Sequence, residues 1–397
     1  MKKDAKEVDY MAFANRPEEY NEKLKRINTA LRGGTPDRVP SLIQNMTWGF
    51  GYSKTNIPEV YKDRQKQIDG NTSFLKDIYT DANFMPCLDF PLEINDILKP
   101  EQPQYRINPD GCSMQHVENS PMLPEEYVEL AKDPRAFIAN VLIPRRYPIL
   151  NSPYPQNYEL LKKVYDAQMY FIGTIVAGAE YQKQVYGMPA FGTGVSYIAP
   201  DFCFDFLRGF KGLMIDIRRK VSGMKEAFDA LNKYEIRNKL GQTKKDEIIF
   251  IPLHSATFMN AKTYDELYWP YLKEYCDAII AKKAIPTIYL EGDWTMHAES
   301  LNDMAPHNVC AMIEKGDPAY FKKTIGKNIS LVGGIPTINL RDCTPEESIE
   351  VAKKALDIYA PGGGYIFSQD KILLSAADAA AENLIAVNEY VRDNGKY

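Results

Sequence analysis

Four apolar runs between Asp246 and Asp370 alternate with helical stretches, and each run is followed at once by a polar residue or a turn. They are Glu247–Leu253, Pro286–Leu290, Ile329–Ile335 and Gly364–Phe367. Parallel strands that are buried on both faces have continuous apolar sequences of this kind, and helices connect them. The segment therefore predicts a parallel sheet with helical crossovers.

The spacing between the ends of these runs favours a closed barrel. His254, Glu291, Ile335 and Ser368 mark successive ends, and this spacing repeated eight times would fill a chain of 397 residues. An open doubly wound sheet is the alternative, but no GxGxxG turn follows an early strand. We predict an α/β fold with a single TIM-type (β/α)₈ barrel over residues 36–397, an N-terminal extension over residues 1–35, and an elaborated region over residues 91–155.

Composition indicates a cytoplasmic enzyme. The net charge of -5 gives no reason to expect a nucleic-acid partner. The N-terminus is charged, and no apolar run approaches the roughly 20 residues that span a bilayer, so no membrane association is expected. The six cysteines form no CxxC pair, which argues against a disulfide framework or a zinc ribbon. A homodimer is left open.

Barrel enzymes place their chemistry at the carboxyl ends of the strands. His254 and Glu291 end neighbouring predicted strands, so an imidazole and a carboxylate are expected to converge on one site, with Asp293 as a further catalytic candidate. Such groups act as general acids or bases. The structural alternatives are a hydrogen-bonded core histidine, a salt bridge for Glu291 and a helix cap for Asp293.

A zinc site is a second interpretation of the same residues. His254 and Glu291 would be two ligands, and His297 or Glu299 the third, because zinc accepts imidazole and carboxylate ligands. The rival interpretation is a metal-free site in which Glu291 protonates the substrate directly. The sequence leaves both open.

Other polar and aromatic residues near predicted strand ends are candidates for substrate binding, although core packing would explain each of them equally well. They are Asn45, Met46, Trp48, His116, Tyr197, Trp294 and Asp370.

Several segments resemble the uroporphyrinogen decarboxylase superfamily. They are ALRGGTPDRVP at 30–40, FGTGVSYIAPDFCFDFLRGFKGLMIDIRRKV at 191–221, YWPYLKEYCDAI, LEGDW, and the stretch from GGIPTINLRDC to GYIFSQD. The likeness covers roughly residues 25–392. It implies a single TIM-type barrel, in a family that includes porphyrinogen decarboxylases and corrinoid-linked methyltransferases.

The departures from the family pattern narrow the expected activity. Porphyrinogen decarboxylases carry an arginine-rich stretch after the RVP strand, but residues 41–54 contain no arginine. Zinc-dependent methyltransferases of the family carry His-x-Cys at the sixth strand end and a later Cys. Here the matching positions are Tyr289, Glu291 and Gly363. The resemblance therefore implies the divergent branch that removes methyl groups from methoxylated or otherwise methylated small molecules.

That branch implies cobalamin carried by a separate corrinoid protein, because this chain has no DxHxxG stretch. O-demethylation in anaerobic metabolism is the expected role. A methyl ether is a poor electrophile, so a proton donor or a Lewis-acid metal must improve its leaving group. Two other functions stay open: a decarboxylase or lyase of a small aromatic or tetrapyrrole-like acid, and a non-catalytic barrel that binds a tetrapyrrole.

Overall fold

The computed structural model describes residues 16–192 and 194–397. Its main element is an eight-stranded parallel sheet, in the order β2-β1-β10-β9-β8-β7-β6-β5, and a separate antiparallel hairpin pairs β3 with β4. The strands are β1 Ser41–Ile43, β2 Ala82–Asn83, β3 Tyr105–Ile107, β4 Met114–His116, β5 Gly194–Val195, β6 Ile248–Leu253, β7 Ile285–Asp293, β8 Cys310–Lys315, β9 Ser330–Ile335 and β10 Tyr365–Gln369.

Eighteen α-helices of the described residues surround the sheet and form the connections. They are α1 Pro17–Leu31, α2 Trp48–Ser53, α3 Ile57–Val60, α4 Arg64–Thr72, α5 Glu93–Leu98, α6 Tyr127–Lys132, α7 Pro134–Phe137, α8 Ile143–Arg146, α9 Gln156–Tyr186, α10 Ala199–Phe202, α11 Gly209–Arg219, α12 Met224–Lys239, α13 Ala261–Leu267, α14 Trp269–Ala281, α15 Pro318–Thr324, α16 Thr337–Asp342, α17 Pro345–Tyr359 and α18 Ala381–Asn394.

The sheet curls into a TIM-type barrel, as the sequence predicts. Its two edges approach each other, because Phe191, just before β5, donates its amide to the carbonyl of Asn83 in β2 at 2.9 Å. Side chains that meet across the interior include Phe84 and Phe250, whose ring centroids are 4.9 Å apart. These side chains belong to a cluster of apolar residues in the barrel interior. A separate cluster of buried apolar residues fills the space between the strands and the outer helices.

Helix α1 closes the amino-terminal end of the barrel. Its residues Ile27 and Leu31 belong to the interior cluster, and the Leu31 carbonyl accepts a hydrogen bond from Ser330 at the start of β9. A catalytic site can therefore lie only at the opposite end of the barrel, where the strands have their carboxyl ends. Residues 1–15 of the predicted N-terminal extension lie outside the described residues.

One prediction about local structure was wrong. Strand β8, which begins at Cys310, lies between Glu291 and Ile335, which the predicted repeat treats as one step. Helix α13 is capped by Asn260, whose side chain accepts the amide of Thr263. Helix α17 begins with a capping box formed by Thr344 and Glu347.

In the part of the chain that the structure describes, we find no helix with both the length and the apolar character needed to cross a membrane.

Candidate active site

A cavity of about 420 Å³ opens at the carboxyl ends of the barrel strands. This volume suits a small molecule. Five aromatic residues, three carboxylates and two histidines dominate its lining. The lining residues are Tyr105, His116, Tyr197, Phe204, Asp205, Phe206, His254, Thr257, Phe258, Glu291, Gly292 and Glu314.

His254 lies between two carboxylates in this cavity. Its Nδ1 atom is 2.8 Å from Asp205 Oδ1 and 2.8 Å from Asp205 Oδ2. On the other side of the ring, Nε2 is 3.0 Å from Glu291 Oε1. Both ring nitrogens therefore have an acceptor within hydrogen-bond distance, which favours the doubly protonated ring.

The two carboxylates decide the charge of this histidine. Burial alone would lower the pKa of His254, but the hydrogen bonds and charges of Asp205 and Glu291 outweigh it and raise the pKa well above its ordinary 6.5. At neutral pH the ring is an imidazolium that donates to both carboxylates. The site thus holds one transferable proton next to an open cavity.

The backbone around His254 is fixed by a buried carboxylate, Asp201 of α10. Its Oδ1 atom accepts the amides of His254 at 3.2 Å and Ser255 at 2.8 Å. Its Oδ2 atom accepts the hydroxyl of Tyr268 at 2.6 Å. Asp201 therefore positions the imidazole without facing the cavity itself.

Asp205 comes from a π-helical turn, Cys203–Arg208, between α10 and α11. Such turns carry one residue more than an α-helical turn and are frequent at functional sites. Here the turn lies beside β6, and its carboxylate reaches Nδ1 of His254. Two of the cavity's aromatic rings, Phe204 and Phe206, come from the same turn.

Glu291 is placed by an irregularity near the end of β7. The register of β7 with β8 shifts between Leu290 and Asp293, and Gly292 has a φ of 76°. A bulge of this kind re-aims a side chain at a barrel rim. The Gly292 amide donates to Glu314 Oε2 at 2.6 Å, and the Trp294 indole donates to the Glu291 carbonyl at 3.1 Å. Glu291 itself is 36% exposed, so it faces the cavity instead of being buried.

Aromatic side chains form the walls. Tyr105 and His116 are paired across the β3–β4 hairpin, with ring centroids 5.2 Å apart. The hairpin belongs to the elaborated region at 91–155, which thus contributes one wall of the cavity. Phe204 and Phe258 are stacked at 6.4 Å on another side. A flat apolar substrate would contact rings on more than one side.

A half-buried cation lies near the hairpin wall. Nε and Nη2 of Arg146 are buried and have no hydrogen-bond partner among the described residues. Burial lowers the pKa of His116, and the positive charge of Arg146 adds to this effect, so the two side chains are within electrostatic range. The guanidinium lies over the Tyr147 ring, with Cζ 5.6 Å from the ring centroid, and its unpaired N–H groups are free to bind an anion.

Of the seven predicted substrate-binding residues, two line the cavity and two are buried in the core. His116 and Tyr197 line the cavity. Trp48 and Trp294 do not, because both rings are buried in the core between strands and helices. The Trp48 indole donates to the carbonyl of Ala379 at 3.0 Å. For both tryptophans the core-packing alternative is correct.

Three further candidates have structural contacts. Asn45 is fully buried, and its Oδ1 accepts the amide of Gly49 at 2.8 Å. Met46 packs against the barrel-interior cluster. Asp370 accepts the amide of Thr337 at 2.8 Å, at the start of α16. The neighbouring Lys371 pairs with Glu314 at 3.1 Å.

Asp293 behaves as a turn residue. Its Oδ1 accepts the amide of Thr295 at 3.0 Å, and hydrogen bonding from Thr295 lowers the pKa of its carboxyl. It is exposed and does not line the cavity. The structure therefore favours a turn-stabilising contact, which is neither the predicted catalytic role nor the helix cap.

Of the predicted zinc ligands, His254 and Glu291 lie together, with Nε2 and Oε1 3.0 Å apart, but His297 has other contacts. His297 is 4% exposed, and its ring stacks on Tyr264 with centroids 4.0 Å apart, whereas His254 already has a carboxylate at each ring nitrogen. Across residues 16–192 and 194–397, no group of three or more His, Cys, Asp or Glu side chains is arranged to hold a metal ion. The predicted third ligand, His297, is not part of such a group, and the zinc interpretation stays a prediction.

Comparisons with known proteins agree with the predicted resemblance. Residues 205–385 match the model of the uroporphyrinogen decarboxylase (URO-D) family. The resemblance to this superfamily is confirmed. The URO-D segment contains Asp205, His254, Glu291 and Glu314, so the carboxylates and the imidazolium of the site all belong to it.

A solved structure shares the fold of this chain. It is a methyltransferase from Methanosarcina mazei, with a TM-score of 0.63 and 14% sequence identity, over 94% of this chain and 98% of that chain. At this identity the likeness shows the shared fold. No match was found among curated protein sequences.

Proposed function

We propose that this chain is a methyltransferase that takes a methyl group from a methylated small molecule and passes it to a corrinoid protein. The observation that carries the proposal is His254 held as an imidazolium between Asp205 and Glu291, at the wall of a small aromatic cavity. The URO-D resemblance and the shared barrel with a methyltransferase support the same class.

The residues supply what methyl removal needs from a protein. When the bond between the heteroatom and the methyl carbon breaks, its electron pair stays on the heteroatom, which must then take up a proton. Glu291 and His254 share such a proton at 3.0 Å, and both face the cavity. Proton donation to a leaving group typically contributes 10²–10⁴-fold to a rate. Asp205 stabilises the imidazolium and fixes its orientation.

A corrinoid, when bound, supplies the cobalt nucleophile that accepts the methyl group. The rim of the cavity has a surface that suits a partner carrying such a flat group. Exposed apolar residues follow several strand ends on this face: Phe258 after β6, Met296 after β7, Ile338 after β9 and Leu374 after β10. Exposed apolar clusters of this kind are typical of interaction sites.

Methoxylated aromatic compounds are the substrate class we favour. Tyr105, Tyr197, Phe204, Phe206 and Phe258 line the cavity, and its volume of about 420 Å³ accommodates one substituted ring. O-demethylation, a cytoplasmic location and a role in anaerobic metabolism remain predictions from the sequence.

The decarboxylase alternative is less well supported. A porphyrinogen carries several carboxylates, yet three carboxylates, Asp205, Glu291 and Glu314, line the cavity. Residues 41–54 provide no arginine to balance them. A non-catalytic tetrapyrrole carrier would have no use for a proton shared between His254 and Glu291.

The experiment is a transfer assay with ¹³C-methyl-labelled substrates. Purified protein is incubated with a reduced corrinoid protein and a panel of methoxyaromatic compounds, methylated amines and, as a separate arm, uroporphyrinogen. We expect label transfer and release of the phenol for at least one methoxyaromatic compound. Decarboxylation of uroporphyrinogen at enzymatic rates, with no methyl transfer from any compound, would overturn the proposal.

A further inference from the structure

Glu314 lines the cavity, but the proposed reaction makes no use of it. It lies near the end of β8, and its side chain is 19% exposed. One of its oxygens, Oε2, accepts the amide of Gly292 at 2.6 Å. The other, Oε1, lies 3.1 Å from Nζ of Lys371. We call Gly292, Glu314 and Lys371 the rim cluster.

The rim cluster connects three strand ends of the barrel. Gly292 belongs to β7 and Glu314 to β8, whereas Lys371 follows β10, on the far side of β9. A bulge leaves a backbone amide without its partner in the strand ladder, and such an amide needs another acceptor. The register of β7 with β8 shifts between Leu290 and Asp293, and Glu314 is the acceptor for the amide in between. Glu314 therefore fixes a part of the backbone that the sheet itself does not.

Both ends of the peptide group between Glu291 and Gly292 are held by side chains. Its N–H donates to Glu314, and its carbonyl accepts the indole N–H of Trp294 at 3.1 Å. The φ of Gly292, 76°, lies in the region that favours glycine, so the strand does not set this peptide plane. The plane determines the direction in which the Glu291 side chain leaves the backbone, and this side chain lies 3.0 Å from Nε2 of His254.

Lys371 reduces the repulsion between two carboxylates of the cavity. Its hydrogen bond to Glu314 raises the pKa of the lysine, and the charges of Glu314, Asp370 and Glu291 add to this effect. The ammonium is therefore within electrostatic range of Glu291 as well as Glu314. Because the lysine side chain is 57% exposed, this ion pair contributes little to the stability of the fold. Its effect is on where the Glu314 carboxylate lies.

We propose that Glu314 is a positioning residue, which holds the peptide group between Glu291 and Gly292 so that the Glu291 carboxylate points at His254. Lys371 assists by holding Glu314. Because Glu314 acts through the backbone, it must accept a hydrogen bond but need not exchange a proton. The inference rests on the proposed function for its effect on rate, whereas the arrangement of the side chains can be measured without a substrate.

The first test is the ¹H–¹⁵N spectrum of the histidine rings at neutral pH, without substrate. The chain has four histidines, so each ring can be assigned by substitution. In the wild type we expect N–H resonances from both ring nitrogens of His254, because hydrogen bonds to Asp205 and Glu291 slow their exchange with water. Glu314→Ala should lose the Nε2–H resonance and keep that of Nδ1–H. Glu314→Gln should keep both, because its amide oxygen still accepts the Gly292 amide.

The second test is the rate of methyl transfer to the corrinoid protein. Glu314→Ala should lower kcat about thirtyfold or more and leave KM within about twofold, since it disturbs the proton donor and not the binding of the substrate. Glu314→Gln should stay within about fivefold of the wild type. Lys371→Met should lower kcat about two- to fivefold, because Glu314 is held less firmly. Lys315→Met is the matched control and should change nothing, because this exposed lysine follows Glu314 in the chain and lies outside the rim cluster.

Two results would overturn the proposal. An Nε2–H resonance that persists in Glu314→Ala would mean that Glu291 is positioned without Glu314. Equal losses of kcat in Glu314→Ala and Glu314→Gln would assign Glu314 a role in proton transfer instead. A wild type without methyl-transfer activity would count against the proposed function alone, and the ring spectrum would still decide the role of Glu314.

Lys371→Met keeps the proposal testable if circular dichroism shows that Glu314→Ala does not fold. In that case the exchange of the His254 Nε2–H with water should be faster in Lys371→Met than in Lys315→Met. Equal exchange rates in these two variants would contradict the proposal.

Discussion

The Nε2 atom of His254 lies 3.0 Å from Oε1 of Glu291, at the carboxyl ends of the paired strands β6 and β7. Asp205 occupies the other side of the imidazole at 2.8 Å. This arrangement keeps a proton between a cation and a carboxylate that both face a cavity.

Glu291→Gln should reduce methyl transfer at least a hundredfold and leave the fold intact. Glutamine keeps the shape of the side chain but cannot relay a proton, and a hundredfold loss corresponds to about 2.7 kcal/mol of barrier. The measurement is kcat together with the melting temperature. Asp293→Asn is the matched control, because that carboxylate caps a turn two residues away and lies outside the cavity. Equal losses in both variants would contradict a specific role for Glu291.

Asp205→Asn should move the alkaline limb of the pH–rate profile to lower pH by about one unit or more. Asp205 is one of two carboxylates that raise the pKa of His254 well above 6.5, and without its charge the imidazolium loses its proton earlier. The profile of kcat/KM between pH 6 and pH 10 measures this. An unchanged alkaline limb would mean that His254 does not supply the proton.

The same raised pKa predicts how stability depends on pH. The pKa of His254 is higher in the folded protein than in the unfolded chain, so its contribution is fully present below pH 6.5 and is lost as pH rises through the folded value. Denaturant unfolding of the wild type and of Asp205→Asn should therefore differ more at pH 6 than at pH 10. A constant difference across this range would be inconsistent with a charged His254–Asp205 pair.

Arg146→Met tests whether the guanidinium of Arg146 recognises an anion. Because Arg146 is only half-buried, its removal should change the melting temperature by about 2 °C or less. If a substrate carboxylate pairs with Arg146, the KM of a methoxylated aromatic acid should rise at least tenfold, and that of its neutral amide should not. Arg145→Met is the control, because Arg145 pairs with Glu126 on the surface. An unchanged KM for the acid would exclude this role.

The sequence predicts the strands that bear His254 and Glu291 well. Their apolar runs are continuous. Strand β6 begins one residue later than predicted and ends at the predicted residue, whereas β7 begins one residue earlier and ends three residues later. It does not predict β8, although VCAMIEK is also an apolar run with a carboxylate at its end. This run is short and polar residues flank it on both sides, so it resembles part of a loop more than a strand. Glu314 was missed with it.

Asp205 was missed for a different reason. It lies within the run FCFDFLRGF, and nothing in the order of these residues shows that one carboxylate reaches the mouth of the barrel. The π-helical turn and its approach to β6 are tertiary features. The signal that was present is a single carboxylate among aromatic residues, which is costly to bury without a charged partner.

An aromatic residue after a strand end is not enough to predict that its ring lines the cavity. Tyr197 and Trp294 both follow strand ends, but one lines the cavity and the other packs in the core. Which side a ring takes depends on the local turn, and the bulge at Gly292 turns Trp294 inward to donate to the Glu291 carbonyl. No periodic pattern in the sequence encodes that choice.

The dependence of kcat on the leaving group tests most directly whether the Glu291–His254 pair protonates the departing heteroatom. A series of methyl aryl ethers, whose phenols span several pKa values, is assayed with the wild type and with Glu291→Gln. A proton donor makes the rate nearly independent of the acidity of the phenol, so the wild type should give a shallow slope and the variant a steep one. Equal slopes in the two proteins would contradict the account.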